Sequence, residues 1–200
     1  MPTSSSIRIR VVVACLVISL LAGCASRQSV GNARLFADAA NEARSQHLEA
    51  ELQQNPSSVE TRRELAQIYL QELFFKDAIA QLQEIVRLSP TDIPARQLLW
   101  IAYIKSPASD YDKALTVLND AITVAPERFD LHSNLALHYS DVGDQKNCLA
   151  ECERALSLTK DPKEQATVYL LMASANPSRF DEYYQQAVRL DPSTDRKSVV

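Results

Sequence analysis

The sequence predicts an all-α protein built from repeated helix pairs, and three observations carry that prediction. Prolines recur at Pro56, Pro90, Pro126, Pro162 and Pro192, with spacings of 34, 36, 36 and 30 residues, a period in the range of two-helix repeat units. Of the 200 residues 46% are hydrophobic and only 3 are glycine, which favours a packed helical chain over a disordered one, and alternating β-branched runs are scarce. Helix-start signals fall within that period. Ser57 with Glu60, Asp161 with Pro162 and Glu164, and Ser178 with Asp181 each set a capping residue before an acid, and Gly143 before Asp144 reads as a stop followed by a start. The net charge of −4 gives no reason to expect nucleic-acid binding.

The first segment, residues 1–23, reads as an address. Arg8 and Arg10 precede an apolar run from Val11 to Ala22, shorter than the roughly 20 residues a helix needs to cross a bilayer and laid out as a secretory signal. The run ends in Leu21-Ala22-Gly23-Cys24, which resembles the lipobox of bacterial lipoproteins. That resemblance implies cleavage before Cys24 and acylation of its thiol. Several acyl chains, at about 0.8 kcal/mol per buried methylene, would hold the mature chain at a membrane. Ala25 lacks the aspartate that typically retains such proteins in the inner membrane, so the resemblance further implies the periplasmic face of the outer membrane. A tether over 24–31 follows. Asn32 to Gln54 then reads as one helix with a thin apolar stripe of Ala39, Ala40, Ala43, Leu48 and Leu52, expected to serve as an N-terminal cap (32–56).

From 57 to 193 four units follow, 57–92, 93–128, 129–160 and 161–193. In the first, Leu65, Ala66 and Tyr69 precede Ala78, Leu82 and Pro90; in the second, Leu99, Trp100 and Tyr103 precede Ala114, Leu118, Ala121 and Pro126. The third has Leu135, Ala136, Tyr139, Gly143, Cys148, Cys152 and Ala155, and the fourth has Tyr169, Met172 and Ala173 before Tyr183, Ala187 and Pro192, with a short connection through Asn176 and Pro177. These residues resemble the tetratricopeptide repeat (TPR), whose unit is two antiparallel helices, A and B. The resemblance implies a right-handed superhelical solenoid, small residues where the two helices meet, and Leu and Tyr between neighbouring units. Ile85 and Trp100 depart from the usual small residues at their positions.

The family's expected binding surface is the concave face of the A helices. By register it carries Arg63, Glu64, Gln67 and Gln71, then Gln97, Leu98, Ile101, Ile104 and Lys105, then Ser133, Asn134, Leu137, Ser140 and Asp141. The middle of this candidate groove is apolar. Leu98, Ile101 and Leu137 either form an exposed anchor pocket or pack against a neighbouring helix. Leu98 interrupts the basic and Asn set that chaperone-binding relatives use as a carboxylate clamp.

Cys148 and Cys152 lie four apart on one helix face, but in slots that are interior in the repeat, and they read as small buried hydrophobes. No zinc motif, phosphate loop, nucleophile elbow or scaffolded Ser-His-Asp set occurs. The expected function is therefore not enzymatic and needs no cofactor and no catalytic or metal-binding residue. The expectation is a membrane-anchored scaffold that binds an envelope protein or peptide. The alternative is a regulatory or substrate-presenting subunit of a peptidoglycan enzyme. The tail, 194–200, ends in Asp195-Arg196-Lys197-Ser198-Val199-Val200, which resembles the translation of a common sequencing adaptor. That likeness implies that Thr194 is the last native residue and that the array continues in the native protein.

Overall fold

A computed structural model describes residues 39–195. Leu21, Ala22, Gly23, Cys24, the 24–31 tether, the start of the first helix and the tail from 196 lie outside the described residues. The chain divides after Gln54 into two compact units. In the first, a helix over 39–54 (α1) is described. Of its expected stripe, Leu48 is buried and Leu52 half-buried, while Ala39, Ala40 and Ala43 are exposed.

The second unit is all-α: α2 (Val59–Gln71), α3 (Phe75–Leu88), α4 (Ile93–Lys105), α5 (Tyr111–Val124), α6 (Phe129–Asp141), α7 (Gln145–Leu158), α8 (Pro162–Ala175) and α9 (Phe180–Leu190), with 3₁₀ turns at Pro177–Arg179 and Pro192–Thr194. Packing follows chain order, each helix meeting its neighbours, and α6 also meets α8. The even-numbered helices are the A helices and the odd-numbered ones, from α3, the B helices. This is a helical solenoid of antiparallel pairs.

Burial explains the repeat. The seventh residue of α2, α4 and α6 is Leu65, Leu99 or Leu135, and the eighth is Ala66, Trp100 or Ala136, all buried. The fourth, eighth and eleventh residues of the B helices meet them: Ala78, Leu82 and Ile85 in α3, Ala114, Leu118 and Ala121 in α5, and Cys148, Cys152 and Ala155 in α7. Each large buried aliphatic side chain is worth about 1.5–3 kcal/mol. No repeat closes its core alone, since Leu99, Trp100 and Leu135 share one cluster with Leu82 and Ile85.

Capping sets the phase of the helices. Asp92, Asp110 and Asp144 accept from the backbone N–H three residues on, at 2.9, 3.0 and 3.1 Å, and Asp161 accepts from Lys163 and Glu164. Two expectations need correction here. The cap of α2 is Ser58, which accepts from Thr61, while Ser57 bonds Asn55 outside the helix. Ser178 caps nothing, because it lies within the 3₁₀ turn and bonds Asn176. Pro162 is the first residue of α8, where its missing N–H costs nothing. Asp161 caps this helix as its place before Pro162 and Glu164 predicts, and the A helices begin 34, 36 and 33 residues apart.

A device absent from the sequence reading ties each A helix to the loop before it. The fourth residue of each reaches the backbone carbonyl six positions upstream. Arg62 donates to Pro56 at 2.7 Å and Arg96 to Pro90 at 2.9 Å; His132 Nε2 lies 2.9 Å from the Pro126 oxygen, and Gln165 donates to Thr159 at 3.1 Å. Three of these side chains reach the B helix of their own repeat with a second nitrogen: Arg62 to Gln81, Arg96 to Asp120 and His132 Nδ1 to Glu151. Inter-helix loops are thereby given partners for otherwise exposed carbonyls.

The turn inside the first repeat breaks the local rules. Leu73 takes φ +62° where the third repeat has Gly143 at φ +77°, a left-handed conformation that costs a side-chain-bearing residue about 1–2 kcal/mol. Phe74 follows in the place of the capping Asp144 and makes no side-chain cap, forgoing about 1 kcal/mol.

Candidate functional site

The A helices present one row at each register position. Their ninth residues are Gln67, Ile101, Leu137 and Leu170, and their sixth are Glu64, Leu98, Asn134 and Thr167. Leu98, Ile101 and Ile104 are half-buried and pack on the first core cluster. Leu137 is more open, with 37% of its surface exposed. The apolar middle of the groove is thus a strip seated on the core, with its outer surface facing solvent and Leu137 as its most exposed member. Leu170 extends the strip into the fourth repeat. It was missing from the sequence reading, although the same register arithmetic places it.

Polar residues close the strip at both sides. Gln67, Gln71, Lys105 and Asp141 are exposed, and Asn134 is half-buried. Arg63 does not stand ready for a ligand, because its guanidinium is engaged with both carboxylate oxygens of Asp92 at the start of α4. Gln97 repeats the arrangement one unit on, donating to Asp130 of α6 at 2.8 Å. These fifth-position contacts join successive A helices and set their spacing. Burial works against ionising Asp92, but the Arg63 bonds and the Ala95 amide outweigh it and hold its carboxyl below the ordinary range. Arg128, then Gln97, hold Asp130 low in the same way.

Other titratable groups are structural. Cys148 and Cys152 are free thiols, both fully buried. The Cys152 thiol is pushed far up, first by its hydrogen bond with Cys148 and then by burial, which keeps it protonated and unreactive. His138 is buried between the rings of Tyr111 and Tyr139, and burial lowers its pKa. Among the described residues no group of three or more His, Cys, Asp or Glu is placed to hold a metal ion, and no helix is long and apolar enough to cross a membrane. The chemistry available along the strip is apolar contact in its middle and hydrogen bonding at its margins.

No family model and no curated protein matches the sequence. Solved structures do match. MamA is 22% identical over 74% of this chain and 87% of its own, with a TM-score of 0.65. TTC0263, a thermophilic TPR protein from Thermus thermophilus, is 24% identical over 80% and 88%, with a TM-score of 0.55. YrrB, described as a TPR protein with an unusual peptide-binding site, is 13% identical over 77% and 79%, with a TM-score of 0.62. At these identities the likeness is one of fold, and the fold is the TPR fold.

Proposed function

We propose that this chain is an interaction scaffold of the bacterial cell envelope, held at the periplasmic face of the outer membrane by an acylated Cys24, and that it takes an extended peptide or partner helix along its A-helix surface. One observation carries the binding reading: Leu98, Ile101, Ile104, Leu137 and Leu170 run across three successive repeats as a solvent-facing apolar strip with polar margins, the pattern of an anchor region with a hydrated rim. The peptide-binding site of YrrB, on the same fold, supports that use here. Membrane anchorage rests on Leu21-Ala22-Gly23-Cys24.

Site-specific photocrosslinking tests the groove. A benzophenone side chain at 137 is expected to capture a discrete envelope partner, and one at the exposed Glu153 on α7 is not. Leu137→Lys is expected to abolish capture by a probe at 101 while leaving helicity unchanged. Capture that ignores Leu137→Lys contradicts the groove. The anchor is tested separately: Cys24→Ser is expected to block lipid labelling and release the protein from membranes, and unchanged association contradicts it.

A further inference from the structure

The large hydrophobic side chains that the array leaves exposed are not scattered. Among the described residues they are Leu73, Phe74, Tyr111, Val124, Leu137, Val142 and Phe180. Leu137 belongs to the groove. Of the other six, all but Val124 lie in, or directly after, a turn from an A helix to its B helix. Because all A helices run the same way, these turns share one edge of the array. Two contacts document it. Clefts of about 290 Å³ each lie between the first and second turns, one lined by Leu73, Phe74, Ser106 and Pro107, and the Tyr111 ring at the second turn lies 5.9 Å from His138, near the third.

The first of these turns carries the most exposed pair, with Leu73 at 69% and Phe74 at 56%. Both occupy positions where the third repeat has the locally preferred Gly143 and Asp144. Apolar side chains have thus been placed on this edge against local backbone and capping preference, an outlier that points to use.

We propose that this edge, led by Leu73 and Phe74, docks into the interface of the bilayer to which Cys24 tethers the chain. The proposal rests on the acyl anchor proposed above. Three observations favour lipid over a protein partner. The apolar residues come one or two to a turn with charges between them, too dispersed for the roughly 800 Å² per partner of a stable protein contact. A tethered domain needs no such area, because the anchor already confines it to the surface and a second weak apolar signal completes the attachment. The charges between the apolar residues are largely neutralised locally, Lys113 by Asp110 and Arg179 by Glu182. Lys76 is offset by Asp77, and Glu72, Asp112 and Asp181 add acid, so the edge has no cationic surplus for anionic lipid. The surface it fits is zwitterionic. Fourteen residues lie between Cys24 and residue 39, a contour of at most about 50 Å from the anchor to the first described residue.

Depth-dependent quenching tests the proposal. Full-length protein carrying Phe74→Trp is purified from membranes, its acylated N-terminus verified by mass, and reconstituted in phosphatidylcholine vesicles with brominated acyl chains. Emission from position 74 is expected to be lost, against a native background of the buried Trp100 alone. Adding Leu73→Gly, which suits the left-handed turn and keeps the fold, is expected to restore part of that emission. Leu73→Trp serves as the reporter if Phe74→Trp misfolds by circular dichroism. Unquenched emission from acylated, folded protein overturns the edge and leaves the anchor standing. Emission that is blue-shifted without quenching assigns the edge to a protein partner or a second copy and also overturns it. A mass without acyl chains removes the anchor and this proposal together.

Discussion

At the scale of single residues, the array is held by side chains that look interchangeable in the sequence. Asp92 caps α4 and pairs with Arg63 at once, so Asp92→Asn, which still caps, isolates the ion pair. With the folded pKa of Asp92 held low, its contribution is complete above about pH 4 and is lost as the pH falls through the lowered folded value. Urea melts from pH 7 to pH 2 are expected to show the native array losing stability over that range, and Asp92→Asn losing about 1 kcal/mol less there. His132 stands where the first two repeats have Arg62 and Arg96, with Glu151 and the Pro126 carbonyl as partners. His132→Ala is expected to cost about 1–3 kcal/mol by removing the ring that links Glu151 to the Pro126 carbonyl, and His132→Arg, whose guanidinium can donate to both, to cost clearly less in the same denaturant titration. Leu73→Gly is expected to stabilise by about 1 kcal/mol, because glycine accepts φ +62° without strain. A thermal midpoint no higher than native would show that the Leu73 side chain offsets its own strain through contacts.

At the scale of helices, the B helices decide the core and the A helices divide their faces. Leu118 of α5 is fully buried in the cluster that the first three repeats share, and Leu118→Ala is expected to cost about 2–5 kcal/mol in chemical denaturation. Trp100 sits in a slot that Ala66 and Ala136 fill in α2 and α6, and its buried Nε1 makes no hydrogen bond. Trp100→Phe should therefore leave stability nearly unchanged, whereas Trp100→Ala opens a cavity and costs about 3–5 kcal/mol. A large loss in Trp100→Phe would show that the indole nitrogen matters. Two helix starts were legible, since Asp144 and Asp161 cap as carboxylates before a helix do, and Asp92 and Asp110 cap by the same chemistry. The starts of α3, α6 and α9 were not, because Phe74, Arg128 and Arg179 carry no side-chain cap and only packing fixes where those helices begin.

At the scale of the whole array, adjacent repeats share their core, so stability belongs to the stack. Converting Asp92 and Asp130 to Ala together removes the acceptors of both fifth-position joints, Arg63–Asp92 and Gln97–Asp130. The expected outcome is a broadened, less cooperative unfolding transition with each repeat's own helix pairing retained. Amide exchange resolves it: protection lost at the contacts between repeats ahead of that inside pairs supports the joint role, and uniform loss opposes it.

The amino-acid sequence by itself determined the helix-pair repeat, because a period near 34 residues with Leu, small residue and Tyr at fixed positions can be buried only by stacking like units. It also determined the interior slots of Cys148 and Cys152, which follow from the same register. Only the tertiary structure decided which groove residues remain available. Arg63 is consumed by Asp92, twenty-nine residues away, and Leu98 and Ile101 are more deeply covered than Leu137, which keeps 37% of its surface exposed. It alone tied Arg62, Arg96, His132 and Gln165 to one role, and gathered Leu73, Phe74, Tyr111, Val142 and Phe180 onto one edge. The reason is physical: burial period is a local property of the chain, whereas partnership and exposure depend on which helix arrives beside it.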